Sequence, residues 1–251
     1  MFKKLFAVIA LGVSVIIYAG TAQAALNDRG GGLLYDDVLN ITWLQDANYA
    51  KTSGYDVDGL MYWNDAAAWA GNLSYGGYDD WRLASHSPVN SISWNYNSSN
   101  DGSADFGYNI SSPNSELAYM YYVNLGLKGQ YSPSGIIQPD WGIFGNGTLN
   151  GVDLSSYGQN DVGLVKNLQP HTYWSGTAYE PDTILNWYFA PSIGYQGVTI
   201  NVNNLYAWAV RDGDVAAVPE PETYAMLLAG LGLVGFSVKR RKQYANMIAT
   251  S

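Results

Sequence analysis

The sequence has no cysteine and only two histidines among its 251 residues. The absence of cysteine excludes disulfide frameworks, cysteine-ligated zinc, iron–sulfur clusters and thiol nucleophiles. With two histidines, neither a histidine-rich metal site nor a multi-histidine catalytic centre is expected. Charged residues are also scarce, at 13% of the chain, whereas hydrophobic residues reach 47%. Burial of this many apolar side chains offsets the conformational entropy lost on folding, so the chain is expected to fold.

Basic charge is scarce between the two ends of the chain. Six of the twelve Lys and Arg residues lie near the termini, and nineteen of the twenty-one Asp and Glu residues lie between Asp28 and Asp214. The middle of the chain therefore carries six basic against nineteen acidic residues, a net charge of −13. A field of this sign repels phosphate backbones, so nucleic acid is not expected as a partner. Neutral sugars, cations and basic proteins remain as candidate partners.

Residues 1–24 have the layout of a secretory signal peptide. Lys3 and Lys4 precede the apolar stretch 5–18, and the small residues Ala22 and Ala24 stand at the −3 and −1 positions of a cleavage site. We predict cleavage after Ala24 and export through the Sec translocon. The mature globular domain is then expected over residues 25–217.

Residues 218–242 form a tail of three parts. A Val-Pro-Glu-Pro motif at 218–221 precedes an apolar helix predicted over 224–238, and a basic cluster occupies 239–242. A helix of 15 residues is about 22 Å long, so it would cross a bilayer core of roughly 30 Å only with local thinning. The basic cluster would then act as a membrane stop. The motif residues are Val218, Pro219, Glu220 and Pro221, and the membrane stop is Lys239, Arg240, Arg241 and Lys242.

This tail resembles the PEP-CTERM sorting signal of Gram-negative bacteria. The resemblance implies recognition by exosortase, a membrane-embedded processing enzyme usually encoded alongside exopolysaccharide production, and processing near the Pro-Glu-Pro. It also implies anchoring of the precursor in the inner membrane, followed by a location at the cell surface or in the extracellular matrix. Residues 243–251 extend the tail further than is usual in the family.

The region 25–217 is predicted to be a single α+β domain, with two helices early and antiparallel strands late. The first helix is expected to begin at Asn64 and to end at Gly76, and the second to be capped by Ser112 and to end at Gly126. Strands are predicted at 33–35, 41–44, 187–189, 198–200 and 206–210, and hairpin turns at 146–147 and 150–151.

Three strings in this region resemble the signatures of the Lcl C-terminal domain family, Lcl_C. They lie at residues 77–83, 173–177 and 207–214. The resemblance covers the whole mature region and implies a C-type lectin-like fold. A relative in that family binds sulfated glycosaminoglycans through a basic face, a ligand that the charge of −13 disfavours here. The strings contain five predicted structural anchors: Trp81, Arg82, Trp174, Trp208 and Arg211.

We expect the two anchoring arginines to pair with carboxylates such as those of Asp79, Asp80 or Asp212. Arginine is so scarce among abundant aspartate that each guanidinium should find a partner. A structural role is therefore favoured over a catalytic one for Arg82 and Arg211.

Two acidic strings are candidate calcium sites. Asp56 and Asp58 precede Gly59 like the start of a calcium loop, but the later EF-hand ligands are missing. Glu180 and Asp182 flank Pro181, as in the Glu-Pro-Asn tripeptide of C-type lectins, but no Trp-Asn-Asp follows. Short motifs of this kind arise often by chance, so no cofactor is expected and calcium is kept as the alternative.

Catalytic motifs are lacking in the sequence. There is no Gly-x-Ser-x-Gly elbow, His86 is expected to be solvated in a Ser/Pro/Asn-rich loop, and His171 is expected to cap a strand. We therefore expect a non-enzymatic exported protein whose aromatic loops bind polysaccharide or other surface proteins. The alternatives are a purely structural or adhesive module, and a polysaccharide hydrolase that uses a pair of carboxylates.

Overall fold

A computed structural model describes residues 26–143, residues 160–215 and Leu231. In the described residues, 33% are in strands and 13% are in helices, and the strands form three sheets. The prediction of an α+β C-type lectin-like fold is therefore wrong, because strands dominate the described chain, and the predicted transmembrane sorting helix gains no support from the described residues. Within the described ranges no helix is both long enough and apolar enough to cross a bilayer. The predicted signal peptide, the hairpin turns at 146–147 and 150–151, and the sorting tail apart from Leu231 lie outside the described residues.

The described residues form twelve strands, three α-helices and a π-helical turn. The strands are β1 Leu26–Gly30, β2 Leu33–Asp36, β3 Ile41–Leu44, β4 Arg82–Leu83, β5 Ser98–Ser99, β6 Phe106–Gly107, β7 Asn160–Val162, β8 Val165–Leu168, β9 Tyr173–Ala178, β10 Leu185–Ala190, β11 Tyr195–Ile200 and β12 Ala209–Asp212. The helices are α1 Tyr49–Thr52, α2 Trp63–Gly71 and α3 Glu116–Tyr119, and the π-helical turn is Met120–Asn124.

The first sheet has the strand order β1-β2-β3-β12-β4 and is antiparallel throughout. Its last strand in sequence, β12, is an interior strand, with Val210 opposite Trp43 on one side and opposite Arg82 on the other. The second sheet has the order β5-β6-β11-β10-β9, antiparallel except for the β5–β6 pair. The two sheets meet where Gly176 N–H of β9 donates to Ala84 O, directly after β4, at 2.8 Å. Strands β7 and β8 form a separate hairpin.

The helices are shorter than the sequence predicts. The second predicted helix contracts to α3 and the π-helical turn, which closes with Leu125 N–H donating to Met120 O at 2.9 Å. Ser112 does not cap it, because its hydroxyl donates to Val89 O at 2.8 Å and the helix begins only after Ser115. The tertiary partner of Ser112 therefore overrides the local capping signal.

The bulkiest side chains of the core are aromatic and come from both sheets. The ring of Trp208 packs edge-on against Trp43 at 4.7 Å between centroids, and its Nε1 donates to Leu44 O at 2.7 Å. The Trp208 indole thus contributes a large buried apolar area while its ring N–H has a partner. The largest fully buried side chains are Trp43, Trp174, Trp187, Tyr173 and Phe189.

Replacing Trp208 by alanine should lower the free energy of unfolding by about 3–5 kcal/mol, because it empties a buried site and removes the partner of Leu44 O. Denaturant unfolding of the full chain measures this loss. Tyr62→Ala is the matched control, since Tyr62 is 47% exposed and its removal leaves no cavity. Equal stabilities of the Trp208→Ala variant and the wild type would contradict the assigned core role.

Candidate binding groove

Arg82 joins three segments that are distant in sequence. Its guanidinium donates to both carboxylate oxygens of Glu116 at 2.8 Å, and to Asp212 Oδ1 at 2.6 Å. Glu116 is largely buried and also accepts Ser85 N–H at 2.6 Å. Although burial alone would lower it, these bonds raise the pKa of Arg82 above its ordinary value. The residue is therefore a fixed positive charge that links β4, α3 and β12.

Arg211 forms the second buried anchor. Its Nε and Nη2 atoms donate to the two oxygens of Asp80 at 2.8 and 2.9 Å, and its guanidinium lies 4.1 Å from the centre of the Tyr78 ring. The hydrogen bonds from Arg211 lower the pKa of Asp80. The predicted anchors Trp81 and Trp174 are buried, at 3% and 0% exposure. These side chains hold the fold and leave no surface for a ligand.

A buried polar centre lies around His86, which the sequence wrongly placed in solvent. His86 Nε2 lies 3.6 Å from Asp105 Oδ1, and the Ser115 hydroxyl donates to Gln196 Oε1 rather than to His86. Asp105 in turn accepts the N–H groups of Val89 and Asn95. Burial lowers the pKa of His86 to about 3. Since these side chains are at most 4% exposed, the serine, histidine and aspartate cannot reach a substrate and serve as a structural network.

The calcium candidates are used for turns. Asp56 Oδ1 accepts the N–H groups of Asp58 and Gly59 at 3.0 and 2.7 Å, and Asp58 Oδ1 accepts Leu60 N–H at 2.9 Å. Asp182 Oδ1 accepts Ile184 N–H in the same manner. Across residues 26–143 and 160–215 no three His, Cys, Asp or Glu side chains come together in a way that could hold a metal ion. The calcium alternative therefore gains no support from this part of the chain.

An aromatic cluster lies over the His86 centre. Trp94 stacks between Trp187, at 5.5 Å, and Tyr96, at 6.0 Å, and Tyr96 also contacts Tyr179 at 5.0 Å. Because these rings cover one another, Tyr96 is only 38% exposed. The cluster therefore presents little free aromatic face to a ligand.

A surface groove offers a better binding site, and its shape follows from backbone pairing. Met61 and Leu205 form an antiparallel bridge with N–H to O distances of 2.9 and 3.1 Å. Side chains alternate along extended backbone, so the buried Met61 and Leu205 leave their neighbours Tyr62 and Asn204 exposed. The open groove has a volume of about 330 Å³, within the range of small-ligand sites. We call it the two-tyrosine groove; its lining residues are Tyr55, Asp56, Leu60, Met61, Tyr62, Asp65 and Asn204.

The walls of the two-tyrosine groove are held rigidly. Trp174 Nε1 donates to Met61 O, and Trp63 Nε1 donates to Ser175 O, both at 2.8 Å. On the other wall, Gly59 adopts a φ of +85° and packs against the side-chain oxygen of Asn48, where any larger residue would collide. Preorganised walls reduce the entropy that a ligand would have to overcome.

Apart from Asp56 Oδ1, which accepts two backbone N–H groups, the polar side chains of the groove are available to a ligand. Although burial acts to raise it, the pKa of Asp56 is lowered by the backbone N–H groups that its carboxylate accepts. The side chains of Tyr55, Tyr62 and Asp65 make no hydrogen bond or ion pair within the described structure. Tyr55 and Tyr62 are 59% and 47% exposed, so the groove presents two aromatic side chains beside free polar groups.

Comparisons with known proteins concern the tail of the chain. A family model described as the PEP-CTERM protein-sorting motif matches residues 217–242. No curated protein and no solved structure matches the chain. The motif identifies an exported surface protein that is processed by exosortase, with a membrane-anchored C-terminal signal. The resemblance of residues 25–217 to Lcl_C stays a prediction that no family model supports.

Replacing Arg82 by methionine should keep the apolar stem but leave Glu116 without its cation. We expect a loss of about 2–3 kcal/mol in the free energy of unfolding, below the roughly 3–5 kcal/mol of fully buried pairs because Arg82 is partly exposed. Lys128→Met removes an exposed pair with Asp140 and should leave the melting temperature unchanged. Similar melting temperatures for the two variants would contradict the anchoring role of Arg82.

The folded state should become less stable on acidification because of His86. Its pKa falls from 6.5 to about 3 on burial, so between these values the unfolded chain binds a proton that the folded chain does not. The free energy of unfolding should then decrease by about 1 kcal/mol per pH unit between pH 6 and pH 4.5. His86→Gln should flatten this slope in urea titrations, whereas the exposed His171→Gln should preserve it. A steeper slope in His86→Gln would mean instead that Asp105 stabilises a protonated His86.

Proposed function

We propose that the chain is the precursor of a non-enzymatic surface protein of a Gram-negative cell, whose domain binds polysaccharide in the two-tyrosine groove. The tail match supports export and exosortase processing. The binding role is supported by one observation above all: two exposed tyrosines flank a groove of about 330 Å³ that also holds unpartnered polar groups. Association with an exopolysaccharide is part of the proposal, because exosortase is usually encoded with such polymers.

The chemistry of a sugar matches this arrangement. Pyranose rings present apolar C–H faces that pack on aromatic rings, and hydroxyl edges that need hydrogen-bond partners. Tyr55 and Tyr62 supply rings, and Asp65 and Asn204 supply planar groups that accept bonds from neighbouring hydroxyls. The buried Met61 and the half-buried Leu60 give the groove an apolar floor. A groove that is open at the surface suits a segment of a long polymer.

Binding is favoured over hydrolysis. A glycosidase needs one carboxyl group with a raised pKa to act as the acid. In the groove, the pKa of Asp56 is lowered and its Oδ1 is already occupied by two backbone N–H groups. The tightly packed His86 centre also lacks access to solvent. These observations support a binding module.

Binding to polysaccharide should depend on Tyr62. Screening the purified full chain against the host exopolysaccharide and a glycan panel should give ligands that Tyr62→Ala loses by about tenfold or more, because the stacking ring is removed. Tyr96→Ala is the control, since Tyr96 is a partly covered surface tyrosine, 38% exposed, that lies in the aromatic cluster outside the groove.

Three outcomes would contradict the proposal. Loss of binding in Tyr96→Ala but not in Tyr62→Ala would move the site to the aromatic cluster. Absence of any glycan ligand would favour the purely structural or adhesive alternative. Release of new reducing ends from the polymer would show a hydrolase.

A further inference from the structure

The charge of the two-tyrosine groove is unbalanced. Asp56 and Asp65 contribute carboxylates to its lining, and no Lys, Arg or His belongs to the lining. Asp65 has no ion-pair or hydrogen-bond partner in the described structure. The groove is therefore a concave, aromatic and negatively charged surface whose counter-charge is missing.

Most basic residues of the described domain already form ion pairs elsewhere. Of the six Lys and Arg residues in the described ranges, five form ion pairs with carboxylates outside the groove. The sixth, Lys51, makes no ion pair and is not part of the lining. The committed residues are Arg29, Arg82, Lys128, Lys166 and Arg211. Within residues 26–143 and 160–215, therefore, no Lys or Arg forms an ion pair with Asp65.

An ammonium group complements the unpaired negative charge of the groove better than a hydroxyl or an acetamide group does. It forms charge-assisted hydrogen bonds with a carboxylate, which are about twice as strong as neutral ones. It is also attracted to the face of an aromatic ring, and Tyr55 and Tyr62 offer two such rings. Anionic sugars would meet like charge, both in the groove and in the surrounding field of −13.

We propose that the saccharide bound in the two-tyrosine groove carries free protonated amines, as in a de-N-acetylated amino-sugar polymer. The inference rests on the proposed polysaccharide binding and names its ligand class. The amines pair with Asp65 and Asp56, while the sugar ring packs against Tyr62 or Tyr55. An enzyme that removes acetyl groups from the polymer must then act before this protein binds it.

Three hexasaccharides with the same β-1,4 backbone separate the contribution of charge from that of ring stacking. They are glucosamine, N-acetylglucosamine and glucose hexamers, which differ only at C2, titrated against the full chain by calorimetry. We expect the glucosamine hexamer to bind at least tenfold more tightly than the other two at mildly acidic pH. This preference should decline with added salt, and with rising pH as the amines lose their protons.

Two variants distinguish the groove from the general negative field of the domain. Asp65→Asn should weaken glucosamine hexamer binding by about tenfold and leave the weak binding of the other two unchanged. Asp79→Asn removes the same single charge from an exposed carboxylate outside the lining and should have little effect. Tyr62→Ala should weaken the binding of all three hexamers.

The outcomes separate this inference from the proposed function. Equal affinities for the three hexamers, abolished by Tyr62→Ala, would overturn the amine preference and leave polysaccharide binding in place. Equal losses in Asp65→Asn and Asp79→Asn would also overturn it, by reducing the preference to non-specific attraction. Binding of none of the hexamers, together with no hit on the glycan panel, would overturn both.

Discussion

The bidentate pair between Arg82 and Glu116 is the interaction on which the arrangement of the two sheets depends. Arg82 belongs to β4, the edge strand of the first sheet, and β4 leads directly into the backbone contact between Ala84 and Gly176 of the second sheet. Glu116 holds the same stretch from the other side through Ser85 N–H. One partly buried guanidinium therefore links β4 to β12 of the same sheet, through Asp212, and to α3, through Glu116. In a chain without disulfides, this cross-link joins segments that the backbone leaves far apart.

Such use of arginine has a cost at the surface. The domain has six basic residues, and five of them form internal or local ion pairs. Most of its carboxylates are therefore exposed to solvent. The field that results excludes anionic partners over distances of about a Debye length, roughly 8–10 Å. Within this field, the two-tyrosine groove combines negative charge, free aromatic rings and a concave shape. The proposed preference of the groove for amines thus rests on the same scarcity of basic residues.

The sequence predicts some features of the fold and misses others for physical reasons. Strands β2 and β3 coincide with predicted strands, because each is a short apolar run bounded by turn residues. Asp80 and Asp212 were among the partners expected for the arginines, but Glu116 was not, since tertiary contact alone brings it to Arg82. His86 was misplaced because its polar neighbours fold inward around Asp105.

The sequence does not predict the groove, because the bridge between Met61 and Leu205 joins two distant segments that carry no recognisable motif. The last strand of the described domain, β12, lies between β3 and β4 rather than at an edge of its sheet. The residues after β12 are pinned too, by Arg29 on Asp214 and by the Thr42 hydroxyl on Gly213 O. Detaching β12 from the domain therefore requires hydrogen bonds to two strands, β3 and β4, to break rather than bonds to one strand alone. Resistance to force is set by the rate of unfolding, so this interior strand would slow the rupture of a surface protein held by its tail.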